Sequence, residues 1–365
     1  MSNVNTINWN GQYALLDGAS GTGFALSKES QELQKIIFNR SKSQIERLEA
    51  YEDIFNLEVG DTGLSRARNI ERESGLRQIF LKFEGGNPTG TQKDRIAFTQ
   101  CLDALRRGFD TITAGSCGNY GVSLGLAASI AGLHCIICIP ENYHTKRYQE
   151  INNHSVEIIR TQGDYEAAVG YSRNLAEEKE YYDANPGGNN THLQIVAYSE
   201  IANEIYDVLR DAPRAVAVPV SNGTLLAGIY RGFMTLYKRG KTSRIPWIIA
   251  GSSYRKNPIV YSFKKGLSHC TDLEPRHIHE TKTNEPLINW HSYDGDEALT
   301  AIRASSGWAE DISDSSLNHM AKILRDIEGL NVLSASTAGL VALINRQHLE
   351  PLEGDRYVAI ITGRK

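Results

Sequence analysis

Short apolar runs alternate along this chain with longer segments whose apolar positions recur at helical spacing. Residues 79–83, Ile-Phe-Leu-Lys-Phe, read as a strand, and the run after Lys93 through Ala97, Cys101, Ala104 and Leu105 keeps one apolar helical face. Further strands are expected at 111–114, 135–139, 156–160, 215–220, 247–251 and 357–361. Helices are expected near 120–131, 145–152, 165–181, 198–210, 225–239, 315–328 and 337–348, with a helix-like run over 27–47. Repeated strand, turn and helix units argue for parallel sheets covered by helices, an α/β protein. Residues 183–190 form a strong loop signal. Residues 256–290, with Lys264, Lys265, His277, His279 and several prolines, follow no clear pattern.

Size and charge narrow the functional classes. A chain of 365 residues suits about two domains and a sizeable core. With 39 Lys and Arg against 43 Asp and Glu, the net charge is −4, which is not a nucleic-acid-binding balance. No apolar stretch approaches the roughly 20 residues a membrane helix needs, and the first residues lack a basic and hydrophobic signal, so a cytoplasmic protein is expected. The five cysteines are too scattered for a disulfide framework. Cys135 and Cys138 form a C-x-x-C, but strand alternation puts their sulfurs on opposite faces, so they read as buried packing residues. Cys117, on a glycine turn at a helix start, has no apparent histidine partner for nucleophilic work. His277 and His279 read as surface loop residues, and no metal site is expected.

The chemistry concentrates where apolar strands break into turns. Lys93 follows Glu84-Gly85-Gly86-Asn87-Pro88-Thr89-Gly90-Thr91-Gln92 and precedes Asp94-Arg95, which places it in the first turn of a helix. The unpaired N–H groups and positive dipole end there disfavour an ammonium, and a neutral lysine amine is a nucleophile that attacks aldehydes. Two further turns, Ala114-Gly115-Ser116-Cys117-Gly118-Asn119-Tyr120-Gly121 and Val220-Ser221-Asn222-Gly223-Thr224-Leu225, each link a strand to a helix start, where backbone N–H groups bind carboxylate or phosphate. The chain ends in a buried-strand pattern followed by Thr362 and Gly363, and ligands of open α/β sheets gather at strand C-termini.

In this order the pieces resemble the fold type II pyridoxal-phosphate (PLP) enzymes of the tryptophan synthase beta superfamily, most closely the threonine synthase branch. The resemblance covers about residues 60–363 and includes Gly60-Asp61-Thr62, Arg66-Ala67-Arg68-Asn69, Glu328-Gly329-Leu330-Asn331-Val332 and Ser334-Ala335-Ser336. It implies two three-layer domains of mostly parallel strands with the cofactor in the cleft between them. The larger domain would comprise 1–95 and 198–365, with 1–50 as an N-terminal extension carrying Trp9 and Tyr13, and 96–197 would form a smaller inserted domain. It also implies that Lys93 is the Schiff-base lysine, that Asn119 lies beside the cofactor's phenolic oxygen, and that Ser221, Asn222, Gly223, Thr224 and Leu225 form the phosphate cup. Thr362 would face the pyridine nitrogen, and Ser116, Cys117, Gly118 and Tyr120 would surround a substrate carboxylate. The small-molecule partner would be an amino acid with a β or γ leaving group, and the assembly a homodimer. A hydroxyl at the ring nitrogen gives a weaker electron sink than a carboxylate, which suits elimination and replacement.

This chain departs from the family pattern at several of these places. Thr91-Gln92 stands where Ser-Phe is usual, Tyr120 where a threonine is usual, Cys117 where a small or hydroxylated residue is usual, and Ser-Asn-Gly-Thr where the phosphate loop is commonly triple-glycine. Of these, the changes at Cys117 and Tyr120 fall among the residues that the resemblance places around the substrate carboxylate. The implied reaction is conversion of O-phosphohomoserine and water to threonine and phosphate. β-Replacement or β-elimination on a serine-type substrate, of the cysteate synthase, cysteine synthase or dehydratase kind, fits the same residues. A nicotinamide-dependent dehydrogenase needs G-x-G-x-x-G, whereas Gly115, Gly118 and Gly121 are spaced G-x-x-G-x-x-G. A non-catalytic homologue leaves the lysine and phosphate loop without a role.

Overall fold

The computed structural model describes residues 24–116, 118–141, 147 and 156–365. The strands are β1 Leu64–Arg66, β2 Ile79–Phe83, β3 Thr111–Gly115, β4 His134–Pro140, β5 Glu157–Thr161, β6 Tyr182–Asp183, β7 Ala215–Pro219, β8 Trp247–Ser253, β9 Trp308–Ile312 and β10 Tyr357–Ile361. They form two sheets, one six-stranded in the order β1-β2-β10-β7-β8-β9 and one four-stranded in the order β5-β4-β3-β6. Every pairing is parallel except β1 with β2. This is the α/β architecture that the alternation predicted.

The contacts divide the chain into two compact units. One holds the described residues of Met1–Gly60, Asn87–Thr89 and Lys93–Asn185; the other holds Asp61–Gly86, Gly90–Gln92 and Pro186–Lys365. The four-stranded sheet lies in the first unit and the six-stranded sheet in the second. By sequence the smaller domain was expected at 96–197.

Apolar continuity explains the inner strands. β3, β7 and β10 are buried along their whole length, as strands covered on both faces are. In the larger sheet, Ala217, Ile249, Tyr357, Ala359 and Ile361 pack with Leu317, Leu324, Leu340 and Leu343 from the covering helices into one core cluster. The parallel register aligns Ala359 of β10 with Leu81 of β2 and Ala217 of β7, so Thr362 and Gly363 emerge at the C-terminal edge.

Several elements differ from the sequence reading. The 27–47 run is two helices, Lys28–Phe38 and Gln44–Glu58. Ser43 starts the second helix, its hydroxyl accepting the Glu46 N–H while the Glu46 carboxylate accepts the Ser43 N–H. The helix expected from 198 begins at Thr191, directly after the asparagine-rich loop. Helices Pro258–Lys264 and Gly295–Ala304 and strand β9 were not anticipated. The helix expected at 145–152 lies outside the described residues, as do Trp9 and Tyr13.

Candidate active site

The turn before Lys93 is tied to the end of β10. Gly90 has φ +85°, and a Cβ on it would lie 2.6 Å from Arg364 Nε, so glycine is required there. The Arg364 N–H donates to Gly90 O at 2.9 Å, Thr91 forms an antiparallel bridge with Gly363, and the Gln92 N–H donates to Thr362 O at 3.0 Å. Lys93 then opens the helix Lys93–Arg106 and is half-buried. Its amine lies 5.9 Å from the Tyr120 ring centroid.

Asp94 is the residue that closes this turn, and the sequence reading gave it no role. One carboxylate oxygen accepts the Thr89 N–H at 2.8 Å and the other accepts the Thr89 hydroxyl at 2.8 Å. Thr89 Oγ1 lies 2.9 Å from Ser123 Oγ. Burial raises the Asp94 carboxyl to about 6 against the pull of these hydrogen bonds. The folded state therefore holds this proton more tightly than the unfolded chain, so Asp94 contributes stability below about pH 4 that is lost as pH rises through about 6. The difference is on the order of 3 kcal/mol. Chemical denaturation of native protein and Asp94→Asn from pH 4 to pH 7 should show the variant gaining by that amount; a pH-independent difference would mean that Asp94 titrates normally.

The 116–120 turn presents its groups unevenly. Ser116 is buried, and its hydroxyl accepts the Gly121 N–H at 2.8 Å, satisfying one donor of the helix Asn119–Ala131. Gly118 is that helix's N-cap and supplies no side chain to cap it. The Tyr120 hydroxyl donates to Ala184 O at 2.7 Å. Asn119 Oδ1 accepts from Arg147 Nη1 at 2.8 Å, and Arg147 Nη2 donates to Thr89 O at 3.1 Å. Arg147 thus links Asn119 to the turn before Lys93, a link that sequence spacing did not signal. Cys117 lies outside the described residues.

Residues 221–225 join β7 to the helix Thr224–Lys238. Gly223 is the N-cap with φ +98°, and no side chain caps the helix. A Cβ at Gly223 would stand 2.5 Å from Asp294 O and 2.9 Å from Ala298 Cβ. Ser221 O accepts from Asn257 Nδ2 at 3.0 Å and from Ser292 Oγ at 3.1 Å, while Asn222 Oδ1 accepts from Asn289 Nδ2 at 3.1 Å. The Asp294 N–H donates to Asn222 O at 2.9 Å, and its buried carboxylate accepts the Thr191 and Thr224 hydroxyls. Thr224 therefore directs its hydroxyl proton at Asp294 and offers the loop its backbone N–H. The sequence reading assigned no role to Asn257, Asn289, Ser292 or Asp294. Asn257-Pro258 did carry a signal, an N-cap asparagine before a first-turn proline, and Asn257 Oδ1 does cap the helix Pro258–Lys264.

At the end of β10, the Thr362 hydroxyl donates to Ser336 Oγ at 3.1 Å, and the Gly363 N–H donates to the same oxygen at 3.1 Å.

A family model described as pyridoxal-phosphate-dependent enzyme matches residues 55–363. The chain belongs to that family. This PLP-dependent enzyme is 30% identical to a threonine synthase of Methanocaldococcus jannaschii over 315 residues, 85% of this chain and 76% of that protein. It is 31% identical to a threonine synthase of Bacillus sp. (strain ULM1) over 313 residues, 84% of this chain and 83% of that protein. Its fold matches maize serine racemase at TM-score 0.71 and 17% identity, covering 87% of this chain and 92% of that chain. It also matches the processed form of threonine deaminase isoform 2 from Solanum lycopersicum at TM-score 0.70 and 15% identity, over 87% and 89% of the two chains. The cofactor is PLP, not a nicotinamide. The donor set fits it: an uncapped helix N-terminus with a glycine held in a positive-φ cradle suits a phosphate group.

Among the described residues, no group of histidine, cysteine and carboxylate side chains could hold a metal, and no helix is long and apolar enough to cross a membrane. His277 and His279 are exposed. Burial pushes the Cys135 and Cys138 thiols up, Cys138 to about 11, which leaves both as unreactive packing groups.

Proposed function

We propose that this enzyme eliminates or replaces a leaving group on an amino acid, with O-phosphohomoserine as the substrate and threonine and phosphate as the products. The observation that carries this reading is the 30% identity to a threonine synthase over 85% of the chain. When bound, PLP supplies an aldehyde that captures amines and an electron sink for charge developing at the substrate α-carbon. Lys93 would hold the aldehyde through its amine and would serve as the base that moves the substrate α-proton. The backbone N–H groups of Gly223, Thr224 and Leu225, with Ser221 and Asn222, would hold the phosphate, Asn119 would serve the phenolic oxygen and Thr362 the ring nitrogen. Ser116, Cys117, Gly118 and Tyr120 would bind the substrate carboxylate at the helix start. The same resemblance supports a homodimer in the cytoplasm, which light scattering and fractionation would test.

A second reading, elimination or replacement at the β-carbon of a serine-type substrate, is favoured by Tyr120. Its ring lies 5.9 Å from the Lys93 amine and takes space that a longer side chain would need. Incubation with O-phosphohomoserine and with O-phosphoserine separates the two. The first reading expects phosphate and threonine from O-phosphohomoserine. Ammonia and a 2-oxo acid from O-phosphoserine alone would favour the second, and turnover of neither would overturn both.

A further inference from the structure

The side chain that the family resemblance places beside the cofactor's phenolic oxygen is held by a residue to which the resemblance gives no role. Arg147 donates from Nη1 to Asn119 Oδ1 at 2.8 Å and from Nη2 to Thr89 O at 3.1 Å. Both acceptors belong to turns of the candidate site, Asn119 at the start of the helix Asn119–Ala131 and Thr89 in the turn before Lys93. Thr89 is itself fixed, its N–H and its hydroxyl each donating to the buried Asp94 carboxylate at 2.8 Å. One planar fork therefore reaches from an anchored backbone carbonyl to the Asn119 amide, a geometry that a point-charge ammonium does not reproduce.

A guanidinium carries only donors, and this decides which way the Asn119 amide faces. With Oδ1 towards Arg147 the pair makes a charge-assisted hydrogen bond. With the amide turned over, Nδ2 would meet the guanidinium donor to donor, and that bond would be lost. Asn119 therefore keeps its oxygen on Arg147 and turns its two Nδ2 protons away from it. We propose that Arg147 is a positioning residue that fixes Asn119 as a hydrogen-bond donor to the cofactor's phenolic oxygen. This rests on the placement of Asn119 at that oxygen. A donor stabilises the oxygen without its proton, and an acceptor stabilises it with one, so the wiring favours the anionic oxygen. The Arg147 charge adds to the bias, because drawing electron density from Oδ1 makes the Nδ2 protons better donors.

The test is the absorption spectrum of PLP-loaded holoenzyme at one pH, where a visible band reports lysine-bound cofactor with the anionic oxygen and a near-ultraviolet band the protonated one. Arg147→Met should lower the ratio of visible to near-ultraviolet absorbance by about tenfold, the equivalent of one lost hydrogen bond. Arg147→Lys, which keeps one donor, should give a smaller fall, and it carries the same test if the methionine variant does not take up cofactor. Asn119→Leu should lower the ratio at least as far. Adding Arg147→Met to Asn119→Leu should then change nothing more, because Arg147 acts through that amide. An unchanged ratio in the Arg147 variants beside a fall in Asn119→Leu, or falls that add in the double variant, overturn the role of Arg147 and leave Asn119 in place. An unchanged ratio in Asn119→Leu overturns the placement of Asn119 itself.

Discussion

Alanine at Lys93 is expected to remove the visible absorption band of the lysine-bound cofactor and to lower turnover by about 10³-fold or more, because one amine both anchors the aldehyde and moves the α-proton. The anchoring of Gln92 and Thr91 to Thr362 and Gly363 leaves the peptide before residue 93 in place, so the loss should be chemical and not conformational. PLP should still bind, more weakly, through its phosphate. Absorption spectra and equilibrium dialysis of the variant check both expectations. A variant that keeps the band would assign the aldehyde to another amine, and one that keeps turnover would remove Lys93 from proton transfer.

Gly223→Ala should be the most damaging small substitution in the phosphate loop. Its added Cβ would stand 2.5 Å from Asp294 O while holding a backbone with φ +98°. Positive φ without glycine and a backbone clash together cost about 2–4 kcal/mol. Relief requires moving either the helix start or Asp294, and Asp294 holds both Asn222 O and the Thr224 hydroxyl. Cofactor affinity should then fall by about 10²-fold, read by titration of apoprotein with PLP, together with a lower melting temperature. A variant with native affinity and melting temperature would show that the loop adjusts freely and is not the rigid cradle described above.

The candidate site was legible in the sequence where a residue's position follows from its own neighbours. A strand, a turn with glycine and a helix start put Lys93 in a first turn, and the helix Lys93–Arg106 begins at that residue. The same logic placed Asn119 and Thr224 at helix starts. It failed for supports that come from afar. Arg147 reaches Asn119 across 28 residues, and Ser292 reaches Ser221 across 71. Nothing in the spacing of polar residues over 256–290 distinguished Asn289 from a loop residue, because a buried amide and a solvated one look alike until the chain around them is folded. Asn257, by contrast, precedes Pro258 at the start of helix Pro258–Lys264, which is a local cap signal.

The sequence by itself determined the order of strand-turn-helix units and the parallel α/β class, since both depend on apolar periodicity and on turn residues within a few positions of one another; PLP chemistry was implied by the resemblance that the ordered motifs carry to a known family. Tertiary structure decided what each polar group is free to do. It directed the Thr224 proton to Asp294, the Tyr120 hydroxyl to Ala184 O and the Thr362 proton to Ser336. The physical reason is that a hydrogen bond is set by distance and direction between groups that folding alone brings together, and a side chain committed to one partner has that much less to offer a ligand.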